Sequence, residues 1–167
     1  MMKKVFCFVL ISLVFSRCNF ETPTQFSEPA SQEQVFSLTN QESTLKEVLD
    51  PYKGKKVLID VWASWCADCI RGLPAVEKLQ REFPEVVFLF LSVDTNRESW
   101  KKGIQRFQIK GLHYNLPKGM RSGAFVDFVG LSWIPRYLVI DEQGAIALFK
   151  ATSASDKQLL QALKKNQ

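Results

Sequence analysis

The sequence predicts an α/β domain in which a central mixed β-sheet is flanked by helices on both faces. Continuous apolar runs such as 57–63 are typical of strands that are buried on both faces of a sheet. Stretches with an apolar period near 3.6 residues alternate with these runs. Two strands around Gly144 then precede a last helix. With 167 residues, of which 46% are apolar, the chain is long enough for one packed core.

The first elements of the domain are a short strand, a short helix and a long apolar strand. The stretch VFSL at 35–38 predicts the short strand. ESTLKEVLDPY at 42–52 predicts a helix that ends at Pro51. The run KKVLIDVWA at 55–63 predicts a buried strand that only Asp60 interrupts.

After this strand, apolar residues recur at helical spacing and predict a helix over 67–83 that contains Pro74. The remaining elements are a buried strand at 86–94, a polar helix at 97–107, a weaker strand at 111–116, a short helix at 123–129, two strands around a turn at 135–150, and a last helix at 153–166. The last helix is expected to have its N-cap at Ser155. Strands that alternate with helices favour a sheet with parallel neighbours, to which the terminal hairpin adds an antiparallel part.

Residues 1–18 have the pattern of a signal peptide. A basic start precedes eleven mostly apolar residues at 5–15, which are too few to span a bilayer as a helix. Cleavage before Cys18 resembles that of a bacterial lipoprotein, in which this cysteine carries the lipid. An ordinary cleavage after Ser16, or an uncleaved anchor, is the alternative. The segment therefore predicts a protein of the bacterial cell envelope, on its periplasmic side and attached to the membrane by lipid.

The polar composition of residues 19–34 predicts a flexible tether, and the globular domain follows at 35–167. Of 22 basic and 17 acidic side chains, three basic ones precede Cys18. Residues 19–167 therefore have 19 basic and 17 acidic side chains and a net charge of +2. This charge is too low to predict a nucleic-acid partner.

Cys66 and Cys69 are the two cysteines that remain for the domain, because Cys7 and Cys18 lie in the signal segment. A disulfide across so short a loop gives little entropic stabilisation, which favours a chemical role over a structural one. Cys66 follows a buried strand and opens a helix, where amide hydrogens and the helix dipole lower a thiol pKa. We expect the Cys66 thiolate to attack a disulfide and Cys69 to resolve the product.

The segment DVWASWCADC at 60–69 resembles the active-site segment of the thioredoxin superfamily, and specifically its exported, membrane-tethered TlpA-like branch. The likeness covers roughly residues 35–165. Asp60 occupies the place of the buried acid, and Pro74 that of the kink proline. WIPRYLVID at 133–141 matches the segment whose proline is cis and faces the disulfide.

This resemblance implies a thioredoxin-like fold and a thiol-disulfide oxidoreductase whose redox group is the Cys66–Cys69 disulfide, with no bound cofactor or metal. It implies that the substrates are protein or small-molecule thiols and disulfides, and that a membrane thiol-transfer protein is the electron donor. Asp60 is expected to have a raised pKa in its apolar strand and to take the proton of Cys69. The alternative is an inactive carboxylate at a wet strand edge.

The resemblance also assigns a substrate-binding surface. A bond to proline is most often trans, but the family pattern implies a cis Ile134–Pro135 bond. The Ile134 backbone would then face an extended substrate peptide. Trp65 is expected to belong to the exposed apolar contact surface, whereas Trp62 is expected to pack in the core.

Three positions depart from the family pattern. Ala67-Asp68 stands where the residue before the second cysteine is most often proline, and Gly72 stands where the TlpA-like branch often has glutamate. A carboxylate at Asp68 disfavours the Cys66 thiolate and favours a reductase over an oxidase or isomerase, unless exposure to solvent screens its charge.

Three other functions are less well supported. A zinc site needs about four ligands, which two cysteines and His113 do not supply, and His113 is expected to be structural. The residues before Cys66 lack the proline and threonine of a peroxiredoxin. A lipid-anchored binding module, in which the disulfide is only a brace, remains the non-enzymatic alternative.

Overall fold

Strands and helices alternate along residues 22–164, the part of the chain that the computed structural model describes. The strands are β1 (Gln34–Ser37), β2 (Glu42–Thr44), β3 (Val57–Trp62), β4 (Val87–Ser92), β5 (Leu112–Asn115), β6 (Arg136–Ile140) and β7 (Ile146–Ala151). The helices are α1 (Glu28–Ser31), α2 (Leu45–Leu49), α3 (Ala67–Glu82), α4 (Arg97–Phe107), α5 (Ala124–Phe128) and α6 (Lys157–Lys164), with a 3-10 turn at Asp50–Tyr52. Between residues 22 and 164, no helix is both long enough and apolar enough to cross a bilayer.

The seven strands form one mixed sheet in the order β2-β1-β5-β4-β3-β6-β7. β3, β4 and β5 pair in parallel, and the strands on either side of them pair antiparallel. All six residues of β3 are buried, as its continuous apolar run predicts. The predicted α/β class with a central mixed sheet is confirmed. The carboxyl end of β3, in the middle of the sheet, leads directly to α3.

Segment 42–52, predicted as one helix, is divided between two elements. Its first three residues form the edge strand β2, and the helix begins only at Leu45. The Thr44 hydroxyl accepts a hydrogen bond from the Glu47 N–H, and the Glu47 carboxylate accepts one from the Thr44 N–H. This reciprocal cap determines where α2 begins.

The N-cap of α6 is Asp156 rather than the predicted Ser155. The Asp156 carboxylate accepts a hydrogen bond from the Gln158 N–H at 2.7 Å. An ionised acceptor makes the stronger hydrogen bond at the positive end of a helix, which is why the neighbouring hydroxyl does not cap this helix.

The predicted flexible tether of residues 19–34 does not describe the chain from Thr24 onward. The Thr24 carbonyl accepts a hydrogen bond from the Ile146 N–H at 2.7 Å. The Phe26 ring packs against Phe128 with a centroid distance of 5.6 Å, and Ala30 in α1 is fully buried. A few apolar side chains within a polar segment are enough to hold it on the domain. The predicted signal peptide at 1–18, and residues 19–21, lie outside the described residues.

Candidate active site

Cys66 lies at the junction of β3 and α3. Its backbone is extended, with φ −81° and ψ 101°, and it is the N-cap residue of α3. The Cys66 Sγ accepts a hydrogen bond from the Cys69 N–H at 3.0 Å. The sulfur therefore takes the position that a serine or aspartate oxygen has in most helix caps. The same N–H and the helix dipole stabilise a thiolate at Cys66.

Cys66 and Cys69 form a disulfide in which the Cα atoms are 5.3 Å apart. The two residues are 6% and 4% exposed, so in this oxidised state Cys69 is only slightly more enclosed than Cys66. Part of the enclosure of Cys66 comes from the Ile134 carbonyl oxygen, which lies 3.7 Å from its Sγ. The pair can thus interchange electrons as one dithiol–disulfide couple.

Asp60 lies inside the sheet, two residues before the end of β3. It is 3% exposed, and its neighbours on the adjacent strands are Phe90 of β4 and Tyr137 of β6. Burial raises the pKa of the Asp60 carboxyl to about 8. The burial of Asp60 therefore contradicts the alternative in which this carboxylate lies at a solvent-exposed edge of the strand. The proton-transfer role of Asp60 stays a prediction.

The loop before β6 lies against the disulfide. The Ile134–Pro135 peptide bond is cis, as the family pattern implies, and both residues are buried. Trp65 is 59% exposed, whereas Trp62 is buried in the core, as predicted. Trp133, which directly precedes Ile134, is also 59% exposed. Two large exposed indoles therefore flank the residues that contact the disulfide.

Ala67 and Asp68 form the first turn of α3, between the two cysteines. The exposed Asp68 carboxylate accepts a hydrogen bond from the Arg71 guanidinium in an ion pair. The Arg71 guanidinium offsets the negative charge of Asp68, which the sequence analysis considered without a partner. The effect expected of Asp68 on the Cys66 thiolate is reduced accordingly.

A buried carboxylate, Asp94, holds the loop that leads to Cys66. It accepts hydrogen bonds from the Ser64 N–H at 2.8 Å and from the Ser64 hydroxyl at 2.7 Å. The Ser92 hydroxyl donates a third bond at 2.8 Å. On the other side of the loop, a Cβ atom added at Gly103 of α4 would lie 2.7 Å from the Ser64 Cβ. The loop is thus fixed from two sides.

The sequence contains signals for Trp133 and Asp94, which the sequence analysis did not assign to the site. Trp133 is the first residue of the WIPRYLVID segment. Asp94 follows β4, which pairs in parallel with β3. Because the carboxyl ends of parallel strands meet at one edge of a sheet, a polar residue after β4 lies close to the β3–α3 loop.

His113 has a structural environment in β5. Its ring stacks on Phe90 and its Nε2 lies 3.0 Å from the Ile109 carbonyl oxygen, while burial lowers its pKa. Within residues 22–164, no cluster of three or more histidine, cysteine, aspartate or glutamate residues has the arrangement of a metal site.

Comparisons with known proteins agree with this geometry. The model of a thioredoxin-like family matches residues 54–146. The thioredoxin-like protein YneN of Bacillus subtilis is 28% identical over 86% of this chain and 81% of its own length. The thiol-disulfide oxidoreductase ResA of Bacillus thuringiensis is 26% identical over 78% of this chain and 73% of its own length.

Solved structures show the same fold. A putative thiol-disulfide oxidoreductase from Bacteroides vulgatus has a TM-score of 0.66 and 25% identity, and the match covers 85% of this chain and 94% of that one. A secreted Mycobacterium tuberculosis disulfide oxidoreductase has a TM-score of 0.60 at 14% identity, covering 81% of this chain and 96% of that one. The chain belongs to the thioredoxin-like family and is a thiol-disulfide oxidoreductase of the α/β type.

Proposed function

We propose that the protein reduces disulfides of exported proteins, or passes electrons to another thiol carrier, in the bacterial cell envelope. The observation that carries this proposal is the position of Cys66 at the N-cap of α3, in contact with Ile134, where the exposed Trp65 and Trp133 directly precede these two residues. A substrate disulfide can approach this apolar surface with its backbone beside the Ile134 carbonyl.

In the first step the Cys66 thiolate attacks one sulfur of the substrate disulfide. A mixed disulfide forms, the substrate S–S bond breaks, and the second substrate sulfur leaves as a thiolate that takes a proton from water. The Cys69 N–H, which lies 3.0 Å from Cys66 Sγ, stabilises the attacking thiolate before this step.

In the second step Cys69 attacks the Cys66 sulfur of the mixed disulfide. Asp60, in its ionised form, accepts the Cys69 proton, the mixed disulfide breaks, and the remaining substrate sulfur leaves as a thiolate. The protein then has the Cys66–Cys69 disulfide of the present structure. Two electrons from a partner dithiol restore the reduced form, and we propose that this donor is a membrane thiol-transfer protein. The couple itself is the only redox group that the reaction requires.

The direction of reduction is supported by the modest stabilisation of the Cys66 thiolate. A strongly oxidising site needs a very stable thiolate. Among the described residues, the hydrogen bond to Cys66 Sγ comes from a single backbone N–H, that of Cys69. Asp68 in the same helical turn opposes a second negative charge, although Arg71 offsets part of this effect.

The reduction potential of the Cys66–Cys69 couple tests the direction. Equilibration of the purified protein with glutathione mixtures should give a potential near that of thioredoxin, about −270 mV. A potential near about −120 mV would identify an oxidase and contradict the proposal.

Replacement of the resolving cysteine tests the mechanism in cells. Cys69→Ser should accumulate mixed disulfides between Cys66 and its partners, which dithiothreitol releases. The matched variant Cys66→Ser should trap none, because it lacks the attacking thiol. If Cys69→Ser also traps none while the protein is present and folded, the pair is a structural brace and the protein a binding module.

We further propose that a lipid on Cys18 attaches the protein to the membrane on the periplasmic side. The motif at residues 16–18 and the basic, then apolar, segment before it support this location. Growth with an alkyne fatty acid should label the full chain, and Cys18→Ala should abolish the label and release the protein from membranes. An unlabelled parent chain would contradict lipidation and leave the thiol chemistry unaffected.

A further inference from the structure

The proton that Asp60 accepts must return to solvent before the next reaction, yet Asp60 is enclosed in the sheet. Its Oδ1 atom has no hydrogen-bond partner among residues 22–164. On β4 its neighbour is Phe90, which offers no polar atom. The route must therefore begin on the side of β6 or of α3.

Tyr137 of β6 lies directly opposite Asp60. The two residues are register partners in antiparallel strands, so their side chains extend from the same face of the sheet. The tyrosine is 1% exposed. Burial, and secondarily the charge of Asp60, raise its pKa far above the usual value. The Tyr137 hydroxyl thus keeps its proton whenever the enzyme works.

The Tyr137 side chain extends from the sheet to the helix of the cysteines. A Cβ atom added at Gly72 of α3 would lie 3.4 Å from the Tyr137 hydroxyl oxygen. Gly72 comes one helical turn after Cys69, so the hydroxyl lies under the part of α3 that directly follows the redox pair. The lack of a side chain at residue 72 leaves space there.

A cavity of about 320 Å³ leads from this hydroxyl to the surface. Gly72, Pro135 and Tyr137 line it, Asp68 and Arg71 contribute charged groups, and the polar turn 152–155 closes it on the other side. One water molecule occupies about 30 Å³ in the liquid, so the cavity has room for several. It adjoins the active site, and Trp133, one of the two exposed indoles, also lines it.

We propose that Tyr137 is a positioning residue at the inner end of this cavity, through which Asp60 returns its proton to solvent. The inference rests on the proposed role of Asp60. The Tyr137 oxygen accepts the proton of the Asp60 carboxyl, directly or through one water, while its own O–H proton passes to a water in the cavity. The carboxylate is restored, the tyrosine stays neutral, and one proton reaches solvent.

Among the side chains that face Asp60, Tyr137 is the polar one best placed for this proton transfer. From α3, Cys66 and Cys69 are the reacting groups, and Asp68 and Arg71 lie farther out on the cavity. From β6, the register partner is Tyr137 itself. The β4 partner is aromatic and cannot carry a proton.

Tyr137→Phe removes the hydroxyl and keeps the ring. Tyr114→Phe is the matched control, because it removes a hydroxyl from β5, away from Asp60. Repeated turnover of a disulfide-linked fluorescent peptide, with dithiothreitol as reductant, should be followed from pH 5 to 9. Tyr137→Phe should lower the rate at least about tenfold and change the pH profile. The Tyr114 control should match the parent.

The double variant separates a proton route from a packing effect. In an Asp60→Asn background, Tyr137→Phe should cause no further loss, because both changes interrupt one route. Equal losses in both backgrounds, or a Tyr137→Phe variant as fast as the parent, would overturn the inference. If Asp60→Asn alone matches the parent, the inference also fails, while the Cys66–Cys69 chemistry stands. Failure of the proposed function would instead appear as a parent protein that does not reduce the peptide.

Discussion

Replacing Asp60 by asparagine should make the protein more stable at neutral and alkaline pH. Burial raises the pKa of this carboxyl from 3.8 to about 8. The folded protein therefore holds the proton more tightly than the unfolded chain does. The stabilisation is complete below pH 3.8 and is lost progressively as the pH rises to about 8.

The size of the effect follows from the difference between the pKa of 3.8 in the unfolded chain and that of about 8 in the folded protein. Each pKa unit corresponds to about 1.4 kcal/mol. Between pH 5 and pH 8 the free energy of unfolding of the parent should fall by about 4 kcal/mol through this group. Asparagine resembles the protonated acid in shape and polarity and does not titrate. At pH 8, Asp60→Asn should therefore be more stable than the parent by up to about 5 kcal/mol.

Guanidinium unfolding of the oxidised proteins, followed by tryptophan fluorescence at pH 5, 6, 7 and 8, measures both free energies. Asp127→Asn, which removes an exposed carboxylate from α5, controls for the change in net charge. The difference between Asp60→Asn and the parent should widen steadily with pH. Two stability curves that run parallel from pH 5 to 8 would refute the assignment of a buried, protonated Asp60.

Further substitutions address the rest of the site and the N-terminal segment. Trp65→Ala and Trp133→Ala should each raise KM for a protein disulfide, with little change for a small one, since exposed indoles contribute binding area; steady-state kinetics with both substrates decides this. Asp94→Ala should cost about 1–3 kcal/mol of stability and slow substrate attack, because the Ser64 N–H and hydroxyl both lose their acceptor; unchanged unfolding would contradict the role of this clamp. Phe26→Ala should lower the free energy of unfolding by about 1–3 kcal/mol; an unchanged value would show that the segment does not stabilise the domain.

Local sequence patterns predicted most of the fold because the same apolar residues that define a strand or helix in the sequence are the ones buried in the folded domain. The apolar run at 57–63 is a strand buried on both faces, and its length and composition contain that information. The edge strand β2 was not predicted, because a strand of three residues is too short to show a periodicity. Its polar residues are equally compatible with the start of a helix. Its identity comes from pairing with β1, which is a non-local interaction.

The residues of the site also fall into two groups: some are recognisable from the local sequence, and others are brought to the site only by the tertiary structure. The cysteines and Asp60 are recognisable because their residue types and spacing carry chemistry. Trp133 depends on a loop that approaches from far along the chain, and Asp94 on two parallel strands that end at the same edge. The neutralising partner of Asp68 is local but has no distinctive pattern, since Arg71 three residues later is also common on solvated helices.

The docking of Thr24 on Ile146 has a consequence for how the enzyme meets its redox partners. β7 runs in the same direction as β3, so this dock lies at the end of the sheet remote from Cys66. If Cys18 carries the proposed lipid, Thr24 follows it by six positions, so the linker between them spans at most ~20 Å. The length of β3 adds about 17 Å beyond the dock. An anchored molecule would thus hold its sulfurs outward from the bilayer, and a membrane-embedded donor would need a domain that rises to a comparable height.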